Sequence, residues 1–424
     1  MDYKQIAKEV FLAGVEKVKP DKLIFDSINF IDSTLTIKED KYNLNYYNNI
    51  YLLGAGKASV KMGQAMEFIL GDYLADGLII TKYDHSLPTK RIKVFEASHP
   101  YPDENSLIAA NKIKDFCKKC KEGDLVFFLL SGGASSLLGD FDYSITLEEF
   151  QTLTSLLLSC GATIEEINTI RKQTGYLKGG KLCSLVYPAQ LITLILSDVV
   201  GDRLESIASG PTVPDSSTPE DAISILNKYS IWEKTPKIIQ SFLENKTNRE
   251  IANIHFSKTS NYIIGNNKIA LEACSKKAKE FGLSSIIITS SLQGDINDVM
   301  EEIKNEIKHF SENNNFTCLL FGGEQTLKIN GNGKGGRNQH LALLALKYLS
   351  NFNNLTFLSA GTDGTDGPTD AAGAVIDSKE KFEKDIDTYL IYYNSYEFFI
   401  GTNSHILTGP TGTNVMDIII VILH

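Results

Sequence analysis

Residues 359–377, SAGTDGTDGPTDAAGAVID, gather more carboxylates and glycines than any other stretch of the chain. Asp363, Asp366 and Asp370 cannot share an apolar core, because an unpaired buried carboxylate is very costly. They must be solvated, cap backbone amides or face a cation. Two more turns of Gly, Thr and Asn border this stretch: Gly335, Gly336, Arg337, Asn338 and Gln339 before it, and Thr408, Gly409, Pro410, Thr411, Gly412, Thr413 and Asn414 after it. Three such turns beside apolar runs suggest loops converging on one anionic ligand, with Arg337 as their cation.

Similar chemistry recurs in the first half. Lys57 lies in Gly54, Ala55, Gly56, Lys57, Ala58 and Ser59, between a strand-like run at 49–53 and a helical pattern through Met66 and Ile69. A lysine in the first turn of a helix opposes the dipole, which is odd unless an anion binds there; a solvated lysine is the alternative. An apolar strand at 124–130 ends in Ser131, Gly132, Gly133, Ala134, Ser135 and Ser136, where backbone amides and hydroxyls can form an anion nest or simply a tight turn. A strand at 190–196 leads to Asp198, placed to be a metal ligand, a base for a hydroxyl or a turn former. Lys178, before Gly179 and Gly180, ends a helical pattern over 163–181 that also carries Arg171 and Lys172. Glu324 follows a strand at 316–321. His99 follows a strand at 92–97 and reads as a structural, hydrogen-bonded histidine in a loop stiffened by Pro100 and Pro102, with Asp103 capping the next helix. The loop around Lys57 is neither a full G-x-G-x-x-G nor a Walker A pattern, no strand carries G-x-G-x-x-G with an acidic ribose partner, and the serine loop after 124–130 lacks G-x-S-x-G.

The elements that must hold these loops alternate strand and helix, so the fold class is α/β. A first series ends near residue 214, a polar linker is expected at 245–253, and a second series begins with a strand at 261–264. The length of 424 residues favours two or three domains, and a net charge of −10 argues against nucleic acid. Residues 1–20 form an amphipathic pattern, not a signal peptide, and the longest apolar run, 418–423, is too short to span a bilayer, so a soluble cytoplasmic protein is expected. Cys117 and Cys120 form the one C-x-x-C; without a second pair they and the other four cysteines read as free thiols.

The motifs GAGKAS, SHPYPDE, LLSGGASSLL, KGGKL, ASGPTVPD, FGGEQT, GGRNQ, AGTDGTDGPTDAAGAVID and TGPTGTNV resemble, in order and spacing, those of the class II glycerate kinases, whose C-terminal module is called MOFRL. The resemblance covers nearly the whole chain. It implies transfer of the ATP γ-phosphoryl group to the 2-hydroxyl of D-glycerate, giving 2-phosphoglycerate and ADP. It implies two α/β/α domains, a Rossmann-like one at 1–245 and a second at 246–424 with the MOFRL module at about 315–420, and an active site in the cleft between them. The family's active-site lysine and arginine fall on Lys57 and Arg337. The chain departs from the family pattern at Ala134, Ser136, Gln173, Gly175, His340 and Asn394.

Phosphoryl transfer asks mainly for positioning and for cations near the transferred oxygens. Lys57, Arg337 and Asp198 are therefore the expected catalytic residues, Asp198 as base. Asp198, Asp363 and Asp366 are the expected Mg²⁺ ligands. Gly56, Ser131, Gly132, Gly133, Ser135, Lys178, Glu324, Asn338, Thr411 and Asn414 are the expected binding residues for D-glycerate and ATP. Neither nucleic acid nor membrane is an expected partner, and a homodimer is the assembly considered. Two rival readings are an NAD-dependent hydroxypyruvate reductase, which lacks its dinucleotide fingerprint here, and a non-catalytic sensor of a phosphorylated metabolite, which would not need the aspartates.

Overall fold

The computed structural model describes residues 1–142, 144–245, 255–311, 317–349, 352 and 354–424. The chain forms two compact units. One comprises Leu23–Leu196 and Asp202–Ile264; the other comprises Met1–Lys22, Ser197–Gly201 and Gly265–His424.

The first unit opens with an antiparallel meander of β1 (Ile28–Ile31), β2 (Thr34–Ile37) and β3 (Asp40–Asn43). Its main sheet contains β4 (Ile50–Ala55), β5 (Leu74–Lys82), β6 (Ile92–Ala97), β7 (Leu125–Leu130), β8 (Gln190–Leu196) and β9 (Thr259–Gly265), in the order β6-β5-β4-β7-β8-β9. Strand β4 runs parallel to both β5 and β7, and the β5–β6 and β7–β8 pairs are parallel too. Every residue of β7 (LVFFLL) is buried, as a strand covered on both faces requires. Since β5 and β6 extend to one side of β4 while β7 and β8 extend to the other, strand order reverses between β4 and β7. Doubly wound sheets bind ligands at such a reversal, at the carboxyl ends of the strands. The loops leaving β4 and β7 are those that carry Lys57 and Ser131–Ser136.

Two expectations change here. Strand β9 does not begin the second sheet but completes the first, where Tyr262 donates to Asp40 at 2.5 Å and its hydroxyl lies 2.6 Å from that of Tyr42. Local pattern shows a strand but not which sheet edge it joins. The expected linker at 245–253 lies, beyond Asn245, outside the described residues. The helix expected over 163–181 is two helices, Ile164–Thr174 and Lys181–Val186. The break falls at Gly175 because buried Asp140 accepts the Tyr176 and Leu177 amides, and a Cβ at Gly175 would lie 2.6 Å from the Asp140 carboxylate.

In the second unit β10 (Ser284–Asp295), β11 (Thr317–Thr326), β12 (Leu355–Gly361), β13 (Gly373–Asp377), β14 (His405–Ile406) and β15 (Asp417–Leu423) follow the order β10-β11-β15-β12-β13-β14. Only β10 and β11 pair in parallel; β15 is antiparallel to both of its neighbours, β11 and β12. That reversal has a functional consequence. It sets Asp417, the first residue of β15, opposite Gly323, where the pairing of β11 with β15 ends, and opposite Gly361, the last residue of β12. Helix Tyr3–Lys17 packs in this unit against helix Asn267–Glu280, so closely that a Cβ on Gly14 would lie 2.5 Å from Cys274 Sγ.

All six cysteines are free. Among the described residues no helix is long and apolar enough to cross a membrane.

Helix Glu104–Cys117 is held at its start by Asp103, which accepts from the Ser106 amide at 2.9 Å and the Tyr83 hydroxyl at 2.6 Å. Asp103→Ala is expected to destabilise the protein by about 1–2 kcal/mol, the usual cost of a lost N-cap. Urea denaturation measures it, and an unchanged midpoint would show that this cap does not hold the loop carrying His99.

Candidate active site

In the first unit the two glycine loops are laced together. The Lys57 amide donates to the Gly132 carbonyl at 3.0 Å, and the Ala58 amide donates to Ser131 Oγ at 3.1 Å. Gly56 permits this approach: its φ is 134°, and a Cβ there would lie 2.2 Å from Ser131 Oγ. The helix starts at Ser59 with Ala58 as its N-cap, so Lys57 precedes the first turn instead of lying within it. The ammonium is half-buried and has no hydrogen-bond or ion-pair partner among the described residues.

Gly133 faces the same region. A Cβ there would lie 3.0 Å from His99 Cδ2 and 3.3 Å from Lys57 Cε, so the histidine and lysine side chains meet over this glycine. Burial, reinforced by Lys57, Lys82 and Arg171, pushes the His99 pKa down to about 4. His99 is thus neutral at physiological pH. Burial also lowers the Arg171 pKa, yet an arginine remains charged, and it too has no carboxylate partner among the described residues. Lys57, Lys82 and Arg171 therefore place positive charge around His99, and among the described residues Lys57 and Arg171 have no carboxylate partner. Such a region attracts an anion.

Ser131 is buried under Ala58, whereas Ser135 is half-exposed with its hydroxyl 3.0 Å from that of Ser209. Lys178 lies in the connection between the two helices, but its side chain is buried and turned inward. It is 3% exposed, donates to the Leu138 carbonyl at 2.9 Å, and burial lowers its pKa to about 8.

In the second unit a cavity of about 450 Å³ is lined by Glu324, Arg337, Asp363, Asn414 and Asp417, with Leu327, Ile329 and Met416 forming apolar wall. Arg337 is held on two sides. Nε and Nη2 donate to Asp417 at 2.6 and 3.2 Å, and Nη1 donates to Glu324 at 2.7 Å. Burial opposes the charge on Arg337, but Asp417 and Glu324 outweigh it and hold the pKa above the ordinary range. Complete burial pushes the Asp417 carboxyl up to about 6, a shift that Arg337 and Asn338 only partly offset.

Asp366 takes the second of the three roles open to it. Its oxygens accept from the amides of Asn338 at 3.0 Å and Gln339 at 2.8 Å and from Gln339 Nε2 at 3.0 Å, closing the start of helix Arg337–Tyr348. Gly336 is required, since a Cβ there would lie 2.3 Å from the Asp366 carboxylate. With its lone pairs occupied and 3% exposure, Asp366 is a helix cap and not a metal ligand. Among the described residues no group of three His, Cys, Asp or Glu side chains is arranged to hold a metal, so the expected set of Asp198, Asp363 and Asp366 does not assemble. Asp198 is half-buried beyond the end of β8, outside the wall of this cavity.

Asn338 acts as scaffold, donating to Asp417 at 2.9 Å and accepting from Ser359 at 2.6 Å. Thr411 donates to the Thr362 carbonyl at 2.6 Å and its amide to the Asp363 carbonyl at 3.2 Å, bracing the aspartate loop without lining the cavity. The departures at Gln173 and His340 are absorbed inside the protein. Gln173 donates to the Ser217 carbonyl at 2.8 Å, and buried His340 stacks on Tyr393 with ring centres 5.3 Å apart. Asp417 and Arg171 are the charged residues of these two regions that sequence reasoning did not single out as site residues. For Asp417 a signal existed: a carboxylate heading an otherwise wholly apolar closing strand.

Fold and loops together define an α/β protein built to bind anionic ligands at strand ends. Comparison with known proteins is specific. Residues 6–244 match a domain of unknown function, DUF4147, and residues 317–417 match the MOFRL family. A glycerate 2-kinase of Pyrococcus horikoshii is 37% identical, covering 100% of this chain and 98% of its own length, and a D-glycerate 2-kinase of Thermotoga maritima is 38% identical over 98% and 97%. Human glycerate kinase is 34% identical over 97% and 91%. Crystal structures of a Pyrococcus horikoshii protein and of the Thermotoga maritima glycerate kinase each superpose with a TM-score of 0.87 at 37% identity, covering 100% of this chain and 99% of theirs. The chain belongs to the glycerate 2-kinase family.

The Asp417 shift has a directional consequence. Above about pH 6 the carboxylate is ionised and anchors Arg337; below it the carboxyl protonates and the pair weakens. We expect kcat/KM to fall as pH drops through about 6. Asp417→Asn should give a flat profile at a reduced level, while His99→Gln should keep the acid limb, since His99 titrates near 4. An acid limb that persists unchanged in Asp417→Asn would assign it to another group.

Proposed function

We propose that the chain is a glycerate 2-kinase, which transfers the γ-phosphoryl group of ATP to the 2-hydroxyl of D-glycerate. The observation that carries this reading is Lys57 and Arg171 beside His99, neither with a carboxylate partner among the described residues, at a strand-order reversal in a chain that matches glycerate 2-kinases over its whole length. Phosphoryl transfer needs charge placed in advance against the transferred oxygens. Lys57 has the chemistry for that role because no internal carboxylate competes for it. Arg337 suits it differently: Asp417 and Glu324 fix its plane, so its guanidinium meets a ligand without reorganising.

Magnesium requires one or two carboxylates beside the phosphates. Glu324 gives one oxygen to Arg337, and Asp363 gives one to the Thr365 amide at 3.1 Å; each retains a second oxygen at the cavity wall. The residues therefore fit a nucleotide-bound Mg²⁺, which when bound neutralises phosphate charge. Asp198 is the proposed acceptor of the 2-hydroxyl proton.

Phosphorus NMR of the product formed from ATP and D-glycerate distinguishes the 2-phosphate from the 3-phosphate, and absence of a 2-phosphate resonance sinks the reading. Lys57→Ala and Arg337→Ala are each expected to lower kcat by about 10²-fold or more, the scale of a lost preorganised donor. Near-native turnover in either variant would withdraw that residue from catalysis.

A further inference from the structure

Ser135 ends a hydrogen-bond chain whose direction can be followed proton by proton. The Asn168 amide donates through Nδ2 to the Ser206 carbonyl at 3.3 Å, which turns Oδ1 toward Ser209. Ser209 donates its one proton to that oxygen at 2.9 Å. The proton in the 3.0 Å contact between Ser209 and Ser135 must then come from Ser135. Ser135 Oγ is left with lone pairs alone, an acceptor with nothing to donate.

The chain is held under strain. Ala208, Ser209 and Gly210 follow one another at φ of 51°, 61° and 60°, a region costly for residues that bear a Cβ. The Gly179 and Gly180 amides brace the turn by donating to the Ser209 and Gly210 carbonyls at 3.0 and 2.7 Å. Asn168 and Ser209 are 4% and 0% exposed, so two fully buried polar residues serve to orient the half-exposed Ser135.

Ser135 stands two residues beyond Gly133, over which His99 and Lys57 meet. Lone pairs placed there repel a carboxylate or phosphate oxygen and welcome a hydroxyl proton. The acid substrate has two hydroxyls. The reacting 2-hydroxyl must give up its proton, and the Asn168–Ser209–Ser135 relay has no group to receive it, since both serine protons are engaged and an amide oxygen is no base. The 3-hydroxyl keeps its proton throughout. We infer that Ser135 is a specificity-determining residue that accepts a hydrogen bond from the non-reacting 3-hydroxyl of D-glycerate, with Asn168 and Ser209 as positioning residues. This assignment rests on the glycerate 2-kinase reading.

The test compares D-glycerate, D-lactate and the D-configured 3-fluoro analogue as acceptors with the full-length chain. Fluorine accepts weakly but cannot donate. Both analogues are expected to fall about 10–100-fold below D-glycerate in kcat/KM, mostly through KM, because an acceptor covered by the bound substrate goes unmatched. In Ser135→Ala the three acceptors should converge, by loss on D-glycerate alone. Asn168→Ala releases the Ser209 proton, lets Ser135 donate, and should raise the fluoro analogue relative to D-glycerate. A fluoro analogue that matches D-glycerate in the wild-type chain makes Ser135 a donor and overturns the inference, and so does a Ser135→Ala variant that loses equally on all three. The wild-type comparison needs no variant to fold. Absence of D-glycerate turnover would instead remove the kinase reading itself.

Discussion

An ammonium group kept without a carboxylate is the constraint on which the first unit depends. Proteins normally pair a partly buried cation, because desolvation is costly and an acid partner recovers part of it. Around Lys57 the chain declines that pairing and compensates with geometry: Gly56 pressed on Ser131, the Lys57 amide tied to Gly132, and Gly133 left bare beneath His99. Burial, reinforced by the same positive charges, keeps His99 neutral. Electrostatic free energy that could have stabilised the fold is thereby reserved for an incoming anion.

Arg337 represents the opposite solution. Two carboxylates hold it, one of them fully buried at the start of a strand, and its helix is closed by a third, Asp366. A guanidinium clamped in this way loses little freedom when a ligand arrives, and its planar fork suits bidentate partners on one edge while another stays available. One cation is free to move toward charge and the other is fixed before charge arrives.

Much of this was legible in the chain. The apolar run of β7 and the glycine loops behind β4 and β7 announced strand ends with open backbone, and Asp103 announced a helix start. Asp366 was legible only as a set of alternatives, because a carboxylate two residues after a glycine looks the same whether it meets amides or a cation. Arg171 and Asn168 were hidden in a helix whose basic end had an ordinary explanation in the helix dipole, and the partners that give Asn168 meaning, Ser206 and Ser209, lie 38 and 41 residues away.

What the sequence by itself determined is the local vocabulary: where strands stop, where only glycine fits, and which family the motifs match. Those properties follow from short-range sterics and periodicity, which neighbouring residues settle among themselves. Tertiary structure alone decided that β15 runs antiparallel and so delivers Asp417 to Arg337, that β9 closes the first sheet, and that Asn168, Ser209 and Ser135 meet in one hydrogen-bond chain. Strand direction, sheet edge and proton direction are each fixed by partners distant along the chain, and no window of sequence contains both ends of such a contact.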